Sequence, residues 1–324
     1  GGLEAAIVNA FSPGHRVLVC PVGVFGKRLV AIARTIGLEV GVLETPVGAA
    51  VDPAALAARL ANDAGREIAG VLLTHNETST GVQNDMAALS AAIGDHPATV
   101  MVDSVSGLGA SRFAMDDWGF DIVVTASQKA LAVPPGLTMI AVSPRGWQRI
   151  EAATAARYYF DLRKAREFAA LGQTPWTPPV SIAFALDVAI ARYHAAGAEH
   201  AYERHDRYAR AIRAFAAAAR LEILSQPGAH SVTVVAMKLP AGLDAAAIRA
   251  DLRADHGIVI GGGQAELKGK ILRMGTMGDL SNVDVLRGLE AFATVLREHG
   301  HPCDTVEAMH VARGVLDERL VSAR

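Results

Sequence analysis

The first 145 residues alternate short, continuous apolar runs with helix-period segments, and this rhythm constrains the fold more than any other feature. Apolar runs stand at 17–20, 39–43, 68–74, 98–102, 121–125 and 137–142. They lack the strict polar alternation of a sheet with one face in water, so they read as strands buried on both sides. Helical periodicity fills 27–36, 53–62 and 85–93 between them. Gly37 stops the first of these helices, and Asp52-Pro53 opens the second with a capping carboxylate and a proline at the first helical position. Buried strands joined by helices of this length imply a three-layer α/β domain around a mainly parallel sheet.

The pattern changes after Pro144. Helical periodicity dominates, including 185–194 and 201–220, and an α+β pattern follows. Residues 231–239 alternate as a strand, 244–255 are helical, 257–260 and 271–274 read as short strands, and 283–298 form an amphipathic helix. A chain of 324 residues holds one large or two medium domains. The expected division lies near residue 195, with a large domain over 1–195 and a smaller C-terminal domain with a helical tail over 196–324.

Composition excludes several function classes. The formal net charge is −2, so no strong field favours nucleic acid or an anionic membrane surface. No apolar run approaches the roughly 18 residues that span a bilayer, and no basic segment precedes an apolar one as in a signal peptide. The two cysteines, Cys20 and Cys303, are far apart and out of metal-ligand spacing. The expectation is therefore a cytoplasmic protein with no metal site and no disulfide framework.

Two residues carry the chemistry. Asp103 ends the apolar run 98–102, and Lys129 stands in Ser127-Gln128-Lys129-Ala130-Leu131-Ala132-Val133-Pro134-Pro135-Gly136. Both fall just past the carboxyl ends of strands, where open α/β sheets bind ligands. Singly, Asp103 reads as a turn cap and Lys129 as a solvated loop lysine. Together, and with Pro-Pro-Gly after the lysine, they suggest pyridoxal phosphate: a lysine forms the Schiff base and an acid holds the protonated pyridine nitrogen. Opposite charges about 4 Å apart at an effective dielectric of 20 interact by roughly 4 kcal/mol, or about three pKa units. That is enough to keep a pyridine protonated at neutral pH. The run Gly261-Gly262-Gly263 lacks the strand–glycine–helix order of a dinucleotide site.

At this point a family resemblance enters. His75-Asn76-Glu77-Thr78-Ser79-Thr80-Gly81, Val102-Asp103-Ser104-Val105-Ser106-Gly107-Leu108-Gly109, and Ser127-Gln128-Lys129 with Pro134-Pro135-Gly136-Leu137 resemble, in this order, segments of the class V aminotransferases. Gln173-Thr174-Pro175-Trp176-Thr177-Pro178-Pro179 and the stretch 262–270 continue the likeness over nearly the whole chain. Within the group it is similar to the alanine/serine–glyoxylate aminotransferases. The resemblance implies fold type I and a homodimer with shared active sites. It implies Lys129 as the residue of the internal aldimine and the proton shuttle, and Asp103 on the pyridine nitrogen with Val105 beneath the ring. Phe25 would stack on the opposite ring face, Thr78 would bond a ring substituent, and Gln128 would contact the phosphate region. Thr177 would reach the neighbouring subunit's phosphate, and Arg273 would clamp the substrate carboxylate. His75 is expected outside the stacking position, since Phe25 fills it.

The family also carries a phosphate-binding loop and an N-terminal arm ahead of the helix that here begins at Gly1, so the chain reads as starting mid-fold. The implied reaction is ping-pong transamination from a small L-amino acid, alanine or serine, to glyoxylate or a similar 2-oxo acid. Tyr158 and Tyr159 are candidates for the substrate pocket. Alternatives are aspartate– or ureidoglycine–glyoxylate transamination, cysteine desulfuration, and a truncated, non-catalytic homodimeric relative. Desulfuration needs an acceptor cysteine on a mobile loop, a role that suits neither Cys20 nor Cys303.

Overall fold

A computed structural model describes residues 1–318. Its first part runs α1 (Gly2–Ala10), β1 (Arg16–Cys20), α2 (Val24–Thr35), β2 (Glu39–Val42), α3 (Pro53–Ala61) and β3 (Ile68–Thr74). A two-residue hairpin follows, β4 (Asn76–Glu77) with β5 (Val82–Gln83), then α4 (Met86–Ile93), β6 (Thr99–Asp103), β7 (Ile122–Ala126) and β8 (Thr138–Val142). The helices α5 (Pro144–Ala152), α6 (Leu162–Ala170), α7 (Val180–Ala196) and α8 (Ala198–Ala218) lead onward. The last part is β9 (Val234–Lys238), α9 (Ala245–His256), β10 (Gly261–Gly262), β11 (Ile271–Gly275), α10 (Asn282–Glu298) and α11 (Thr305–Leu316).

The large sheet has the order β2-β1-β3-β6-β7-β8. Its first five strands are parallel, and β8 runs antiparallel to β7. Successive residues feed cores on opposite faces. Leu18, Val71, Leu73 and Val102 enter one core, and Val17, Val19, Leu72 and Met101 enter the other. This two-sided burial is why the strands read as continuous apolar runs. A smaller sheet, β10-β11-β9, has a separate core with α8, α9, α10 and α11. Among the described residues no helix is long and apolar enough to cross a membrane.

Two expectations about elements are corrected, and one unforeseen element is added. The strand expected at 257–260 falls instead on Gly261–Gly262, because Gly257 is the left-handed C-cap that ends α9. The helix expected from residue 27 begins at Val24, for a reason that lies fifty residues along the chain and is described below. The β4–β5 hairpin was not foreseen, since two-residue strands leave no periodicity to read.

Candidate active site

The carboxyl ends of β1, β3, β6 and β7 lie side by side in the sheet. The segments leaving them carry the candidate residues, at the edge where α/β sheets bind ligands. Thr74 pairs with Asp103, and Asp103 with Val124. A cavity of about 480 Å³ opens there. Phe25, Thr78, Asp103, Val105, Gln128 and Lys129 all line it.

Asp103 is 5% exposed, and its Oδ1 accepts the amide of Val105 at 3.0 Å. It forms no ion pair among the described residues. Burial pushes its carboxyl up to about 6 and the charge of Glu77 adds to the rise, while the Val105 bond and the Lys129 charge oppose it. Lys129 is half-buried, and desolvation pushes its amine toward the neutral, nucleophilic form, with Asp103 opposing and Arg273 adding to the shift.

The loop that carries Lys129 is closed on Ser127. Ser127 donates its amide to Leu137 at 3.0 Å and its hydroxyl to Pro134 at 2.8 Å, and accepts the amide of Val133 at 3.1 Å. Ala132 bonds back to Lys129 at 2.9 Å with a left-handed φ of 55°.

Phe25 stands in the first turn of α2. That helix has no capping side chain of its own. Glu77 Oε2 accepts the amides of Phe25 and Gly26, each at 3.0 Å, and Ser79 Oγ accepts that of Val24 at 3.0 Å. The Arg28 guanidinium lies 4.7 Å from the centroid of the Phe25 ring, and Arg28 also lines the cavity.

Arg273 does not line the cavity. It donates Nε to Gly262 at 2.8 Å and Nη1 to the carbonyl of Thr78, which does line it. Its Nη2 has no hydrogen bond among the described residues. Thr177 is exposed and outside the cavity of its own chain. Tyr158 and Tyr159 are also outside it, in an exposed aromatic cluster with Trp176. His75 is buried away from the cavity between Ser104 at 2.8 Å and Ser111 at 3.2 Å, and burial pushes its imidazole down to about 4.

Residues that the sequence reading did not single out also line the cavity, including Arg28, Asn76, Ser106 and the first turn of α1. Their place depends on chain crossings rather than local pattern; for Asn76 and Ser106 the signal was their membership of the quoted motifs. Cys20 is buried in β1, and its thiol is pushed up to about 12 by desolvation, which removes it as a sulfur acceptor.

The residues fit pyridoxal phosphate. The cofactor has a cationic ring nitrogen and an anionic phosphate. The cavity presents a buried carboxyl that makes no ion pair among the described residues, a desolvated lysine, and the first turn of α1, a helix amino end of the kind that holds anions.

Comparison with known proteins agrees with this chemistry. The family model described as "Aminotransferase class-V" matches residues 3–276. The chain is 37% identical over 302 residues to the "Soluble hydrogenase 42 kDa subunit" of Anabaena cylindrica, covering 93% of this chain and 79% of that one. It is 37% identical over 305 residues to the L-aspartate–glyoxylate aminotransferase of Paracoccus denitrificans, covering 93% and 77%. Among solved structures, the pyridoxamine–pyruvate aminotransferase of Mesorhizobium loti matches with a TM-score of 0.92 at 32% identity, over 98% of this chain and 81% of that one.

Proposed function

The chain belongs to the class-V aminotransferase family and is a pyridoxal-phosphate-dependent transaminase, and from that premise we propose that it moves an amino group from alanine or serine to glyoxylate or a similar 2-oxo acid. The observation that carries this reading is the cavity that brings Lys129, Asp103 and Phe25 to one edge of the sheet.

Bound there, the cofactor supplies an electron sink for the substrate's α-carbon. The rest is the work of this chain. Lys129, its amine biased toward the neutral form by desolvation, takes and returns the proton at its Nζ. Asp103 provides the negative charge that holds a ring nitrogen protonated, and Val105 and Phe25 hold the ring between them. Thr78 bonds a ring substituent. The first turn of α1 and Gln128 hold the phosphate. Arg273, braced by the carbonyls of Gly262 and Thr78, offers its remaining donors to the substrate carboxylate.

Thr177 is assigned to the neighbouring subunit's site in a homodimer. Its exposure, and the absence of any buried residue from α6 and α7, support that assignment. The division of the chain near residue 195 is proposed on the same footing, supported by the two sheets with separate cores and by the turn at Gly197.

One observation favours aspartate as a second donor. Arg28 lines the cavity and makes no ion pair among the described residues, so a second carboxylate would find a cation there. The Paracoccus relative is named for aspartate.

Borohydride reduction after loading with pyridoxal phosphate should leave a cofactor-mass adduct on Lys129; an adduct elsewhere, or none, defeats the assignment. A half-reaction screen then ranks alanine, serine and aspartate. If aspartate leads and Arg28→Met removes its advantage, the dicarboxylate reading replaces the first.

A further inference from the structure

Glu77 has no place in the chemistry above, yet it is fully buried and forms no ion pair among the described residues. A buried carboxylate is costly unless hydrogen bonds satisfy it. Here Oε2 accepts the amides of Phe25 and Gly26 at 3.0 Å, and Oε1 accepts the amide and hydroxyl of Ser79 at 3.1 and 2.7 Å. The Ser79 hydroxyl in turn accepts the amide of Val24 at 3.0 Å. The first intrahelical bond of α2 begins only at Lys27, which donates to Gly23. Three amides that a helix leaves unmade are therefore met by Glu77 and Ser79, and the carboxylate sits at the positive end of the helix. Gly23 permits the approach, since a β-carbon there would lie 2.5 Å from the Glu77 side chain.

We infer that Glu77 is the positioning residue for Phe25: through the amino end of α2 it fixes where that ring stands over the cavity, and it ties the ring to the strand that presents Thr78. The half-buried Phe25 ring is anchored through its backbone amide. The inference rests on the proposed role of Phe25 against the cofactor ring.

A double-mutant cycle tests it, with pyridoxal phosphate affinity and the circular dichroism of the bound cofactor as readouts. Glu77→Gln keeps the shape but turns one oxygen into an amide donor that faces donors. Its affinity for pyridoxal phosphate should fall by roughly 10- to 100-fold, with an altered cofactor dichroism. In the Phe25→Ala background the same substitution should cost under about 3-fold. Equal losses in both backgrounds, or wild-type affinity in Glu77→Gln, overturn the inference. If Phe25→Ala alone binds as the wild type does, the stacking role fails, and the inference with it; the single variant thus separates the two failures. Should Glu77→Gln not fold, Ser79→Ala removes one arm of the cap. Its loss should likewise shrink in the Phe25→Ala background, and an undiminished loss overturns the inference.

Discussion

Asp103 is a residue whose proposed function opposes its stability. Its folded pKa of about 6 lies above the ordinary 3.8, so the folded chain holds that proton more tightly than the unfolded chain does. The stability this contributes is fully present below pH 3.8 and is lost as pH rises through about 6. At neutral pH the ionised, buried acid costs the cofactor-free chain up to roughly 3 kcal/mol. Asp103→Asn should therefore stabilise the cofactor-free protein at pH 7.5 by about 1–3 kcal/mol, with little effect near pH 4. The same variant should lower kcat/KM at least about 100-fold. Urea unfolding at the two pH values and steady-state rates check both halves. His75 has the opposite sign. Its folded pKa of about 4 lies below 6.5, so its contribution is present above pH 6.5 and is lost as pH falls toward 4. The His75 ring signal in proton NMR should show no titration between pH 8 and about 5; a midpoint near 6.5 would refute the buried, neutral imidazole. Asp103 and Lys129 were legible in the sequence because each ends or follows an apolar run. Glu77 was not assigned a role, because the amides it accepts lie across the fold, and Arg28 was not, because its place at the cavity comes from how α2 packs rather than from a local pattern.

At the scale of elements, the loop that carries Lys129 stores its strain in one place. Ala132 adopts a φ of 55° so that its amide can return to Lys129 and Val133 can return to Ser127. An L-residue with a β-carbon loses about 1–2 kcal/mol in that conformation, and β-branching raises the cost. Ala132→Val should destabilise by about 1–3 kcal/mol and slow the borohydride-trappable reaction at Lys129. Ala132→Gly should stay within about 1 kcal/mol of the wild type, because relief of strain offsets the greater freedom of the unfolded chain. Thermal unfolding of the pair decides this, and equal destabilisation by valine and glycine would refute the strain. The elements themselves were legible where the signal is local. The strand 68–74 matches β3, and Asp52, Asp85 and Asp244 cap α3, α4 and α9 through their own side chains. The start of α2 was not legible, because its cap is supplied by Glu77 from beyond β3.

At the scale of the molecule, the sheet and the C-terminal core explain themselves, but α7 does not. Its sequence is apolar nearly all round, which in a single chain implies burial. Yet none of its residues is buried, and Val180, Phe184 and Val188 form an exposed stripe one turn apart, with Phe184 71% exposed. The opposite side touches the lysine loop, where Ile182 approaches Gly136. A second copy covering the stripe would answer both the exposure and the position of Thr177, which follows α6 and does not line the site cavity of its own chain. Phe184→Glu should then shift the sedimenting species toward monomer. The sharper test is complementation. On the proposed assignment Lys129→Ala and Thr177→Ala would each damage a site, but in a mixed dimer the Lys129-bearing cavity of one chain would receive an intact Thr177 from the other. Co-refolded variants should regain activity well above either alone, approaching about a quarter of wild type for random pairing. If the mixture shows only the sum of its parts, Thr177 serves its own chain and the sites are not shared.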